Sequence, residues 1–103
     1  MTKDIIIEYL SKHKQEFQEK YGLEAIGLFG SYARDDFDEY SDVDIAVKFD
    51  SNYLDTHDVW DYFDTINSIK DNIMEKFHLK SDIFDLDSIS PLKEQIQKDI
   101  VYV

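Results

Sequence analysis

At 103 residues with a formal net charge of −12, the chain has room for one modest core, and residues 1–103 are expected to form a single domain. The excess of acid, 23 Asp and Glu against 11 Lys and Arg, excludes the basic stripe that direct nucleic-acid binding needs and favours metal ions or basic partner surfaces. Cysteine is absent, which removes disulfides, thiolate metal sites and thiol catalysis, and no stretch reads as a membrane span or signal peptide, so a soluble cytoplasmic protein is expected.

Along the chain, Thr2 to Tyr21 carries Ile6, Leu10, Phe17 and Tyr21 on one helical stripe, with Thr2 as N-cap and Gly22 as stop. Leu23 to Phe29 is short, apolar and bounded by glycines, the pattern of a buried strand. Ser31 to about Phe37 suits one or two helical turns, and Asp42 to Phe49 alternates with Val43, Ile45, Val47 and Phe49 on one face. A polar loop follows, then a long helix from about Thr56 to Phe77 with Val59, Phe63, Ile66, Ile69 or Ile73, and Phe77 as its core stripe. Lys80 to Leu86 is a third strand candidate. Ser90-Pro91 reads as the N-cap and first residue of a final helix that turns Leu92, Ile96 and Ile100 inward. The order α-β-α-β-α-β-α predicts an α/β (α+β) fold, a small mixed sheet packed against helices, with strand order not legible.

Two carboxylates interrupt the second apolar strand. Alternation puts Asp42 and Asp44 on one face, opposite Val43, Ile45 and Val47. At about 6 Å separation such a pair repels by roughly 3 kcal/mol at an effective dielectric near 20. A fold keeps it where both groups are well solvated or where a cation joins them, and Asp with water is the ligand set Mg²⁺ prefers, commonly alongside nucleotide phosphates. Gly30-Ser31 adds a complement. A glycine directly after a strand lets backbone approach a ligand, and Ser31 would open a helix whose free N–H groups favour phosphate. Ser31 has no Gly-X-Ser-X-Gly surroundings, and no Gly-Lys-Ser/Thr follows Gly30, so neither a hydrolase elbow nor a P-loop is present. His13, His57 and His78 share no ligand spacing.

The segment "GSYARDDFDEYSDVDIAV" resembles the signature of the minimal nucleotidyltransferases, small members of the DNA polymerase β superfamily. The likeness takes in Gly30-Ser31, Ala33-Arg34, Ser41-Asp42-Val43-Asp44, the Asp82-Ile83 strand and a closing helix that ends in Val-Tyr-Val. It implies metal-dependent transfer of a nucleoside monophosphate, AMP if ATP is the donor, to an acceptor hydroxyl, with Asp42 and Asp44 holding two Mg²⁺ ions. Gly30 and Ser31 would bind the triphosphate, and Arg34 would reach phosphate or pair with Asp35, Asp36 or Asp38. A third carboxylate completes such sites as metal ligand and general base; Asp82 is assigned to it because it starts the β-like segment Asp82-Ile83-Phe84, where the resemblance places this acid, with Asp85 and Asp87 as rivals. Two departures, Asp35 where members often have glycine and Glu39 near a common proline, fall in the intervening loop.

The same resemblance implies a partner. Minimal nucleotidyltransferases are typically encoded beside a helical HEPN-domain RNase toxin and act as its antitoxin, so the expectation is AMP transfer to a tyrosine of a HEPN protein in a hetero-oligomer. Two alternatives are a binding-only antitoxin with a vestigial nucleotide site and an antibiotic-type small-molecule nucleotidyltransferase that borrows a separate helical subunit.

Overall fold

The computed structural model describes residues 2–103. Helix α1 (Lys3–Tyr21) begins where Thr2 Oγ1 accepts from the Ile5 N–H at 3.4 Å, and ends where Gly22, at φ 65°, donates its N–H to the Gln18 carbonyl. Both caps match the sequence expectation. Ile6, Leu10, Phe17 and Tyr21 are its buried residues, as the spacing predicts. Then follow β1 (Leu23–Phe29), α2 (Gly30–Arg34), β2 (Val43–Phe49), α3 (Ser51–Thr56), α4 (Val59–Phe77), β3 (Ser81–Asp85), α5 (Lys93–Asp99) and β4 (Val101–Tyr102).

The four strands form one mixed sheet in the order β3-β2-β1-β4, with β2 and β3 parallel and the other pairs antiparallel. One face of β2 sends Val43, Ile45, Val47 and Phe49 into the main core, where they meet α1 and the Ile69, Ile73 and Phe77 stripe of α4. The opposite face carries Ala46 into a smaller cluster with Leu86 and Ile96, bordered by Phe29, Phe84 and Ile100. The second face is covered lightly, and this is the face on which Asp44 lies.

Four expectations change. The polar loop after β2 contains a helix, α3, started by Asp50 Oδ1 accepting from the Asn52 N–H at 2.8 Å. The long helix begins at Val59 instead of Thr56, because Asp58 and Asp61 form a reciprocal capping box that fixes the start. Val59 and Phe63 of the expected stripe are exposed, while Thr65, Ile69, Ile73 and Phe77 are buried: at 3.6 residues per turn Phe63 points well away from Ile69, so the expected stripe mixed two faces. The final helix starts only at Lys93. Ser90 Oγ accepts locally from the Leu92 N–H at 3.1 Å, which leaves Leu92 exposed rather than inward, and the last residues leave the helix to pair with β1 as β4.

Candidate active site

The end of β1 and the start of β2 lie side by side, Phe29 opposite Asp44, so the chain turns into α2 directly beside the Asp44 carboxylate. Gly30 makes that turn at φ 74°. A Cβ at Gly30 would stand 3.0 Å from Asp44 Cγ and nearer still to Oδ2, so only glycine lets the two segments approach this closely. Asp35 closes α2 in the left-handed region at φ 61°, a conformation that glycine takes freely and that aspartate tolerates better than most residues. The loop beyond is tied locally: Asp38 Oδ1 accepts from the Tyr40 N–H at 2.8 Å, and Ser41 Oγ accepts from the Asp38 N–H at 3.0 Å. Asp42 follows at the mouth of β2.

The third strand supplies the rest. Parallel pairing of β2 and β3 begins with the Val43 N–H donated to the Lys80 carbonyl at 2.9 Å and sets Asp44 beside Asp82 in register. Asp85 pairs with Val47 farther along, and its carboxylate accepts from the Tyr62 hydroxyl at 2.7 Å and from the Asp87 N–H at 2.8 Å. Burial pushes the Asp44 carboxyl up to about 6, helped by the negative charges of Asp82 and then Asp42, with Arg34 opposing. Asp82 itself is exposed and Asp42 half-buried.

Two open clefts meet these residues. One, of about 300 Å³, is bordered by Gly30, Ser31, Arg34 and Asp44 together with Asp99 of α5. The other, of about 340 Å³, lies beside Asp42 and Asp82 and is bordered by Lys70 and Lys80. Arg34 donates to Asp36 at 3.0 Å, one of the expected pairings, and to Asp99 at 2.7 Å. No local spacing in the sequence ties Asp99, Lys70 and Lys80 to the carboxylates; only the fold does. The three histidines stay apart from the site: His13 pairs with Glu16, His57 stacks on Tyr53, and His78 caps α4.

Among the described residues no three acidic or histidine side chains converge tightly enough to enclose a metal ion by themselves. The donors present are carboxylate oxygens, and the charge of Asp44 is opposed by burial and by two like neighbours. That chemistry fits a hard divalent cation such as Mg²⁺, which keeps several waters and takes phosphate oxygens to complete its shell.

Comparison with known proteins decides the family. The profile described as nucleotidyltransferase domain matches residues 10–103. The chain belongs to this nucleotidyltransferase family. It is 31% identical to protein adenylyltransferase MntA of Thermococcus cleftensis over 105 residues, covering 100% of this chain and 97% of that one. It is 35% identical to a Methanocaldococcus jannaschii protein provisionally named a protein adenylyltransferase, over 95% of this chain and 94% of its relative. The fold matches a solved structure provisionally described as a minimal nucleotidyltransferase, with TM-score 0.69 at 20% identity over 98% of this chain and 95% of the other. It also matches, at TM-score 0.52 and 25% identity over 97% of this chain and 66% of the other, a chain from a complex of tri-AMPylated Shewanella oneidensis HEPN toxin with MNT antitoxin. The mixed sheet read from the sequence is thus the sheet of a nucleotidyltransferase, and the chain is an enzyme of that class.

Proposed function

We propose that residues 1–103 act as one nucleotidyltransferase domain that moves AMP from ATP to a tyrosine hydroxyl of a HEPN-type toxin in the cytoplasm, and so serves as its antitoxin. The observation that carries the reading is the in-register placement of Asp44 beside Asp82, with Gly30 turned against the Asp44 carboxylate. The adenylyltransferase relatives and the HEPN complex of the structural neighbour support the donor and the partner.

Gly30 and Ser31 would receive the triphosphate at the start of α2, with Arg34 on the same cleft supplying positive charge. Asp42, Asp44 and Asp82 would hold two Mg²⁺ ions, which when bound neutralise phosphate charge and lower the pKa of the acceptor hydroxyl. Asp82, the most exposed of the three carboxylates, accepts the acceptor's proton. The hydroxyl oxygen then bonds to the α-phosphorus as the bond from that phosphorus to the bridging oxygen breaks, and pyrophosphate leaves with the electron pair. Both clefts are open, so the partner interface would hold chain and acceptor together.

The test is labelling of the HEPN-type protein proposed as partner with ATP radioactive at the α-phosphate, in Mg²⁺ and in EDTA. Mg²⁺-dependent label on a partner tyrosine, lost in Asp42→Ala/Asp44→Ala, is expected. Tight complex formation without any label would favour a binding-only antitoxin instead.

A further inference from the structure

Arg34 and Asp99 are 65 residues apart in sequence and meet in the cleft that Gly30, Ser31 and Asp44 border. We propose that Asp99 is a positioning residue: it holds the Arg34 guanidinium toward the polyphosphate, so that nucleotide affinity depends on a carboxylate at position 99. This inference rests on the nucleotide reading above and adds to it a residue that touches no substrate itself.

The geometry separates the two acids on Arg34. Asp36 accepts from Nε at 3.0 Å but lies two residues away with its side chain 58% exposed. Asp99 accepts from Nη1 at 2.7 Å with its side chain only 14% exposed, and it makes no other side-chain hydrogen bond among the described residues. A poorly hydrated carboxylate with one partner holds that partner more firmly than an exposed near neighbour does. The two bonds use two of the five N–H donors of a guanidinium, which leaves both Nη2 donors for phosphate oxygens.

Asp99 is itself well anchored. It ends α5, and within two residues the chain joins the sheet: Val101 pairs with Leu28, Tyr102 with Gly27, and the Val103 N–H donates to the Ile26 carbonyl at 3.1 Å. The strand that fixes Asp99 is therefore β1, which also leads into Gly30. A long arginine side chain that is half in solvent loses rotamer freedom when it grips an anion. Fixing it beforehand removes that cost from the binding step.

The experiment is calorimetric titration of ATP with Mg²⁺ into the full chain and into Asp99→Asn, Asp99→Glu, Arg34→Ala and Arg34→Ala/Asp99→Asn, with a melting curve for each. Asp99→Asn should weaken ATP binding about tenfold, the scale of one charge-assisted hydrogen bond. Asp99→Glu should recover most of that loss, and Asp99→Asn should change nothing further once Arg34 is alanine. A general structural role predicts the opposite, a loss that follows the melting temperature and persists without Arg34. Unchanged or tighter ATP binding in Asp99→Asn overturns the inference; tighter binding would mean that Asp99 competes with phosphate. If the parent chain binds no ATP, the nucleotide reading fails and takes this inference with it, whereas parent binding with an indifferent Asp99→Asn fails the inference alone. Should Asp99→Asn not fold, Arg34→Lys decides. Lysine keeps the charge but cannot engage Asp99 and phosphate through separate nitrogens, so affinity equal to the parent's overturns the proposal.

Discussion

Asp44 and Asp82 are register partners on two parallel strands, which brings their backbones to one strand spacing, about 4.8 Å, with both side chains on the lightly covered face of the sheet. The pair is unequal. Asp44 is the more buried, and it is the one whose carboxyl is pushed up to about 6. The arrangement strains the cation-free protein and would be relieved by a bound cation.

A stability prediction follows with a definite sign. A carboxyl raised in the folded state above its unfolded value of 3.8 stabilises the fold fully below that value, and the contribution is lost as pH rises through about 6. Asp44→Asn, neutral throughout, should therefore melt higher than the parent at pH 7.5 in EDTA, and the gap should close by about pH 4. Melting curves at the two pH values check it. A gap that is the same at both would assign the effect to packing and not to charge.

Asp82 is also among the causes of the shift at Asp44, second after burial. In Asp82→Asn the Asp44 carboxyl should titrate below its parent value of about 6, though still above an ordinary aspartate because burial remains. Carbon-13 NMR of the side-chain carboxyl, without metal, reads this directly. An unmoved titration would mean that the two carboxylates do not feel one another.

Gly30→Ala tests the turn. The left-handed conformation costs a non-glycine residue about 1–2 kcal/mol, and the new methyl would collide with the Asp44 carboxylate. The variant should melt lower and lose ATP affinity by more than the melting shift explains, because Asp44 must move to make room. Retained affinity in a folded Gly30→Ala would show that the close approach of these two residues is not needed for binding.

How much of this was legible in the sequence depends on the range of the interaction. The caps at Thr2 and Gly22 and the alternation around Asp42 and Asp44 are set within a few residues, and the structure keeps them. The start of α4 is not legible locally, because the Asp58–Asp61 capping box is only one of several Asp spacings in an acid-rich stretch. Leu92 was expected inward because Ser90-Pro91 resembles a helix start, yet Ser90 spends its hydroxyl on a local turn. β4 has two residues and exists only because β1 offers an edge, which no local pattern can announce. The same holds for Asp99. The pairing Asp44–Asp82 was reachable through the family resemblance, but the parallel direction that creates it depends on the crossover through α4.

Asp85 is the rival that separates a structural acid from a catalytic one. Its carboxylate accepts from the Tyr62 hydroxyl, and this bond, after burial, helps push the tyrosine's pKa well above its ordinary value. Its other oxygen accepts from the Asp87 N–H and so closes the turn after β3. Both oxygens are thus engaged three residues away from Asp82. Tyr62→Phe should destabilise the protein by about 1–2 kcal/mol, since a charged acceptor loses a partly buried donor. AMP transfer by the folded fraction should be unchanged in Tyr62→Phe and nearly unchanged in Asp85→Asn, whereas Asp82→Asn, which removes a like charge beside Asp44, should melt no lower than the parent and lose transfer at least a hundredfold, as general-base removal does. Urea unfolding and single-turnover labelling, run side by side on the three variants, check both halves. An Asp85→Asn variant that folds but does not transfer, paired with an active Asp82→Asn, would move the third carboxylate to position 85.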